Sequence, residues 1–480
     1  MLDVQLGDGI ALTQQQEAVW KAQLLAPASD SYHIPLAFQL AGRVQPDLLD
    51  LALRRMVERH PVLRVTVSDD PYAGPRQRLG PPPRSVLAVH DVEPGQAEEL
   101  LALAARRPFD QAQPLRMAAE LFRWAADEAL LLLVFDHIAV DAPSVAQLLA
   151  ELSVDCAGLA DGRELDEVVL EAGYFAYARD QQARFAEPDA ETAAGAAFWA
   201  ERVAGLERRP DVLLRLPGER GIAADELTFA LPDGLTGAAV AAGGSLFTVL
   251  MSAWCLTLKH LSAERDILVE YPAIDLRRTE YEGAVGLFTD GLILRAPDLD
   301  RLTLSGYVAA VREDLLAGFE NQGAPLADMY RALRAAPSAA WAMLSLHDQG
   351  AEELVLPGIT ARQLPVYPRS GKTDLLLAVE TRGEQATARL QFNTGRFDEA
   401  VARGFATAYQ SVLGALAGLA REVDPPALEV PLLPDGQRAL ALAQAQGPAH
   451  PAFAPGCPCG SRRPARRVRT HWRESWAPGC

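Results

Sequence analysis

The chain has 480 residues, 49% hydrophobic and 22% charged, an ordinary globular balance with room for two domains or one two-lobed body. Lysine and arginine total 45 against 63 acidic residues, a formal charge of -18, which argues against nucleic acid and anionic membranes as partners because both require a basic face. The N-terminal MLDVQLGDGIALTQQQ lacks a basic region followed by an apolar core, and the longest purely apolar run, ALLLLVF, is far too short for a bilayer, so a cytoplasmic protein with no membrane partner is expected.

In chain order, PDLLDLALRRMVERH (46–60) places apolar residues at helical spacing and predicts a helix, with PVLRVTV after it as a β-branched strand. LRMAAELFRW and EALLLLVFD read as neighbouring strands. SVAQLLAELSVDCAGL reads as the helix after the second of them, with Ser144 as its cap. SLFTVLMSAWCLTLKHLS (245–262) is apolar nearly all round and predicts a buried helix. DILVEYPA and GLFTDGLILR follow as strands, then the helix SGYVAAVREDLLAGFENQ. TDLLLAVE and ATARLQF are read as strands, and DEAVARGFATAYQSVLGALAGL as the closing helix.

Helices and strands mix in both halves, which predicts an α/β fold of two similar lobes, residues 1–180 and 181–430. Residues 431–480 are expected to be a linker and a disordered tail, because the composition there turns Arg-, Pro- and Cys-rich without periodicity. Cys156 and Cys255 fall in helical segments and are read as buried thiols. Cys457, Cys459 and Cys480 lack a second pair or histidines at ligand spacing, so neither a disulfide framework nor a zinc site is expected.

The chemistry is sought at LLLLVFDHIAVDAPSV (130–145), where Asp136, His137 and Asp141 close an apolar strand. Polar groups at the mouth of a core are costly unless paired or used. As a metal set the three lack an identifiable fourth ligand, and no metal is expected.

DHIAVDAPS resembles the active-site motif of the condensation domains of nonribosomal peptide synthetases, His-His-three residues-Asp-Gly, with Asp136 for the first histidine and Ala142 for the glycine. Further segments resemble the family in order: LTQQQEAVW with SYHIPLAFQL, ERHPVLRVTV, YFAYARDQQ with FWAERVAGL, EGAVGLFTDGLILR, and NQGAPLADMYRALR. The resemblance implies two chloramphenicol-acetyltransferase-like lobes forming a V-shaped pseudo-dimer with a tunnel between them. It implies an acyltransferase that forms an amide bond between substrates on donor and acceptor carrier proteins, with an adenylation domain as a further neighbour. No cofactor is expected in the domain itself, since phosphopantetheine comes on the carriers.

The resemblance also assigns roles. His137 would act on the attacking amine, as base or as positioner. Asp141 would hold the motif loop through a buried salt bridge; either a one-residue slip supplies Arg277 as its partner, or the pair is missing from this chain. Tyr174, Phe288 and Asp290 would line the tunnel or the lobe junction and bind substrate. Asp136 would tune the site. Asp136, Asp141 and Ser144 also spell Asp-x-x-x-x-Asp-x-x-Ser, the signature of heterocyclization domains that form thiazoline and oxazoline rings, in which paired carboxylates would do acid and base work. A catalytically impaired module that recruits a partner is a third reading, because Asp136, Ala142, Asp290 and Asn321 all depart from the usual pattern.

Overall fold

The computed structural model describes residues 9–70, 74–165, 173–204, 221–262, 266–274, 279–335, 342–348, 353–382, 385–421, 423–433 and 437. Its strands are β1 (Ile10–Ala11), β2 (His33–Ala41), β3 (Val65–Asp70), β4 (Gly74–Leu79), β5 (Leu87–Asp91), β6 (Met117–Arg123), β7 (Glu128–Asp136), β8 (Ala224–Ala230), β9 (Leu268–Ile274), β10 (Thr289–Arg295), β11 (Ala342–Asp348), β12 (Thr360–Leu364), β13 (Leu375–Arg382) and β14 (Gln385–Asn393). They form a small sheet β1-β4-β3, a five-stranded sheet β12-β2-β7-β6-β5 and a six-stranded sheet β10-β9-β11-β13-β14-β8. The expected α/β architecture of two sheet-based halves is what the chain adopts.

The LLLLVF run has a direct explanation. Leu131, Leu133 and Phe135 of β7 pack with Leu49, Leu53, Leu148 and Leu152 from the helices Pro46–Arg59 and Ala142–Ala160. Leu130, Leu132 and Val134 pack on the other face with Ala97 and Leu101 of the helix Ala97–Ala104. A strand covered on both faces is apolar at every position rather than at alternate ones.

The six-stranded sheet behaves differently. Val269, Tyr271, Leu344, Leu377, Leu390 and Phe392 join one core with the helices Leu246–Leu261, Leu304–Glu320 and Glu399–Ala417. Side chains alternate along a strand, so Glu270, Ser345, His347, Glu380, Arg389 and Gln391 lie on the opposite face. On that polar face Glu270, His347, Glu380 and Arg389 are half-buried, and Ser345 and Gln391 are buried.

One strand departs from sequence order. β12 pairs antiparallel with β2, Ala361 opposite Leu40, so a segment from late in the chain completes the first half's sheet. PVLRVTV splits as well: Pro61–Leu63 is a 3-10 turn, with the Arg64 N–H donating to the Pro61 carbonyl, and only then does β3 begin. GLFTDGLILR extends only from Thr289, because residues 286–288 are taken up by contacts to the motif turn described below.

Residues Met1–Leu432 form one compact unit. The segment 431–480, with Cys457, Cys459 and Cys480, lies almost wholly outside the described residues. Cys156 and Cys255 are buried free thiols. No single described helix is long and apolar enough to cross a membrane.

Candidate active site

β2 and β7 pair with His33 opposite Asp136, so Tyr32 and His137 emerge at the same end of the five-stranded sheet. The His137 N–H donates to the Tyr32 carbonyl at 2.9 Å, and the Ala139 N–H returns to the Asp136 carbonyl at 2.9 Å, which closes a tight turn. Within it, His137 Nδ1 lies 2.8 Å from the Val140 carbonyl oxygen. A carbonyl can only accept, so Nδ1 carries the hydrogen and Nε2 of the neutral ring carries the lone pair. Among the described residues nothing hydrogen-bonds Nε2.

His137 keeps some accessible surface, yet protein surrounds it closely. Desolvation first, then the positive charge of Lys372, push its imidazole down to about 3. Lys372 and His347 face it from the six-stranded sheet, Lys372 just before β13 and His347 on β11. Burial, aided by Arg389 and Lys372, brings His347 down to about 4, and burial brings the Lys372 ammonium down to about 8 against the pull of Glu270. Lys372 is nonetheless solvent-exposed and His347 half-buried, so both present accessible surface beside His137.

Asp136 and Asp141 serve different partners. Asp136 is fully buried and pairs with the equally buried Arg116 at 3.1 Å, while its other oxygen accepts from Gln23 Nε2 at 2.8 Å and from the Ile138 N–H at 3.3 Å. Arg116 also donates to the carbonyls of Asp110 and Gln113 and to Gln111 Oε1. Asp141 caps the helix Ala142–Ala160, accepting from the Ser144 N–H at 3.2 Å. Its second oxygen accepts from the Phe288 N–H at 2.9 Å and from Thr289 Oγ1 at 3.0 Å. Burial raises the Asp141 carboxyl, opposed by the Ser144, Phe288 and Thr289 hydrogen bonds. Among the described residues no cation pairs with it, and Arg277 lies outside them.

The expected cap at Ser144 is corrected: Asp141 holds that position. The helix begins two residues before Ser144, which leaves the Ser144 hydroxyl free to donate to the Gly286 carbonyl at 2.8 Å and to accept the Gly286 N–H at 3.1 Å. The Asp141 N–H adds a bond to the same carbonyl at 3.1 Å. These bonds tie the motif turn to the segment entering β10. A β-carbon on Gly286 would stand 2.0 Å from Tyr174 Cδ2, so a side chain there would displace the tyrosine.

Tyr174, Phe288 and Asp290 gather at this junction. Tyr174 is buried, donates to the Leu287 carbonyl at 2.8 Å, and meets the Phe288 ring edge-on at 5.1 Å. Buried Asp290 accepts from Gln14 Nε2 at 3.1 Å, and Gln14 also bonds the backbone of Ala324 and Leu326. Phe288 is half-buried. The junction therefore consists mainly of side chains already engaged with protein.

Sequence reading missed Lys372, His347, Tyr32 and Arg116. Ser345 and His347 alternating with Leu344 and Leu346 in AMLSLHD carried a usable signal for a polar sheet face. Nothing local announced Lys372 or Arg116, which are defined by what the fold sets beside them.

Stability should fall in acid, with a defined sign. Below the ordinary 6.5 the unfolded chain protonates both imidazoles, whereas the folded protein refuses the proton until about 4 at His347 and about 3 at His137. The contribution is complete above 6.5 and is lost as pH falls through that window. Burial opposes ionisation of Glu151, but His60 and Arg59 overcome it and hold Glu151 at about 2, so a further loss begins below its ordinary 4.5. Thermal melts from neutral pH to pH 4 should show falling midpoints, with a shallower fall in His347→Gln. Equal slopes in the two proteins would contradict the buried neutral imidazole.

The family model described as Condensation domain matches residues 7–439. The chain is 30% identical over 431 residues to the dimodular nonribosomal peptide synthase of Bacillus subtilis, covering 85% of this chain and 18% of that protein. It is 25% identical over 431 residues to chondramide synthase cmdD of Chondromyces crocatus, covering 85% of this chain and 11% of that one. It thus spans less than a fifth of the length of either relative. The X-domain from teicoplanin biosynthesis superposes with a TM-score of 0.78 at 21% identity, over 89% of this chain and 98% of that one. The first condensation domain of the calcium-dependent antibiotic synthetase, in complex with a substrate analogue, superposes at 0.73 and 20% identity, over 89% and 99%. The fold is common to all three.

Proposed function

The chain belongs to the condensation-domain family, and from that premise we propose that it transfers an acyl or aminoacyl group from one carrier protein to an amine on another, forming an amide bond in nonribosomal peptide assembly. The amine nitrogen adds to the thioester carbonyl carbon, the C–N bond forms, the C–S bond breaks, and the departing thiolate takes up the proton that the amine gives up. Phosphopantetheine enters as part of each substrate, and the domain binds no cofactor of its own. Neighbouring carrier and adenylation domains and a cytoplasmic setting belong to the same reading.

The observation that carries it is the neutral His137 ring with Nδ1–H fixed on the Val140 carbonyl. Nε2 then offers a lone pair to an amine N–H and aims the amine's own pair at the carbonyl carbon. A group that holds its proton only near 3 is poorly matched to general-base work at neutral pH, so His137 is a positioner in this reading. Asp141 keeps the turn in place through Ser144, Phe288 and Thr289.

Amide formation is favoured over heterocyclization because the latter asks for an available carboxylate pair. Asp136 has both oxygens engaged in a buried ion pair and hydrogen bonds. Loaded donor and acceptor carriers mixed with the protein, followed by intact mass of the acceptor, test the proposal. A gain of the donor acyl mass is expected. A further loss of one water would instead indicate cyclization, and no transfer with carrier binding retained would indicate a recruiting module.

A further inference from the structure

Acyl transfer creates a charge that His137 does not address. As the amine adds, the thioester carbonyl oxygen becomes an oxyanion, and a protein-lined site must meet it with a fixed donor or cation.

Lys372 is placed for that role. Its Nζ sits 5.0 Å from the centroid of the Tyr32 ring, and that ring lies 6.2 Å from the His137 imidazole at an interplanar angle of 53°. The Tyr32 carbonyl in turn accepts the His137 N–H at 2.9 Å. A cation from the second half thus rests on the residue that helps fix the motif turn of the first. Its backbone is held on both sides. Upstream, the Asp30 carboxylate accepts the Arg369 N–H at 2.9 Å and the Ser370 N–H at 2.7 Å; downstream, the Asp374 carbonyl accepts the Asn393 N–H at 2.9 Å.

The charged and titratable groups facing it are Glu270 on β9, His347 on β11, which Arg389 on β14 also reaches, and Tyr32 and His137 at the motif turn. Among the described residues no carboxylate forms a salt bridge with Lys372, and Glu270 attracts it from longer range. A seat on an aromatic face holds an ammonium without using its N–H donors.

We propose that Lys372 is a second catalytic residue, donating to the donor carbonyl oxygen as the tetrahedral intermediate forms while His137 holds the amine. This rests on the amide-forming reading above. Burial lowers the ammonium to about 8, so its charge, and with it the rate, should decline above that pH.

Two measurements test the assignment. The first is calorimetric binding of a pantetheine methylphosphonate monoanion, a tetrahedral anionic mimic, against the neutral pantetheine acetamide. Lys372→Met should weaken the phosphonate about tenfold or more and leave the acetamide unchanged. Equal phosphonate binding by both proteins, or no preference for it in the wild type, would overturn the assignment. The second is transfer between loaded carriers. Lys372→Met should lower kcat at least about tenfold with KM unchanged, and Lys372→Arg should retain activity while losing the decline above pH 8. Undiminished transfer in Lys372→Met removes the lysine and leaves amide formation standing. Lysine-dependent phosphonate binding in a wild type that transfers nothing keeps the anion site and removes amide formation.

Discussion

Replacing His137 with alanine is expected to slow carrier-to-carrier transfer by about 10²-fold or more while leaving the fold intact. The ring's described hydrogen bond is short-range, from Nδ1 to the Val140 carbonyl three residues away, so its loss costs about 1 kcal/mol of stability. The main-chain bond to Tyr32 that shapes the turn does not involve the side chain and survives. What disappears is the Nε2 lone pair that, in the proposed reading, orients the amine. Single-turnover transfer rates, with melting curves alongside, check this; an unchanged rate removes His137 from the mechanism. The pH profile separates positioner from base. An imidazole that titrates near 3 gives no acidic limb between about pH 5 and about pH 7, whereas an ordinary base would give one near 6.5.

The largest stability effect is expected at Asp136, not at Asp141. Asp136→Ala strips the charge partner from Arg116, which has no accessible surface and is already pushed down by burial. Leaving one member of such a pair uncompensated typically costs about 3–5 kcal/mol, measurable by chemical denaturation. Asp136→His, which restores the residue usual in the family motif, should be destabilising too, because a neutral imidazole cannot offset the guanidinium. The double variant Asp136→Leu with Arg116→Met should recover part of the loss. Recovery stays incomplete because the Asp110 and Gln113 carbonyls then lose the donors that Arg116 supplied. A stable Asp136→His protein would show that the pair contributes little and would reopen an active-site role for position 136.

The two aspartates show how far the motif could be read. Their spacing invited a paired-carboxylate reading, yet one turns into the first half's core and the other reaches the strand from the second. Spacing along a tight turn does not fix which way each side chain points. That direction depends on donors contributed by residues 20 positions earlier for Asp136 and 147 later for Asp141. At the junction, Tyr174 and Asp290 hydrogen-bond the Leu287 carbonyl and Gln14, partners 113 and 276 positions away.

The sequence by itself determined most element types, the apolar strand β7, the α/β class and the family, because these follow from local periodicity and from ordered motifs along the chain. Only the tertiary structure decided that Arg116 neutralises Asp136, that β12 completes the first half's sheet, and that Lys372 and His347 stand across from His137. Each of these pairings brings together residues far apart in sequence, and their energy comes from burial and charge proximity that no local pattern records.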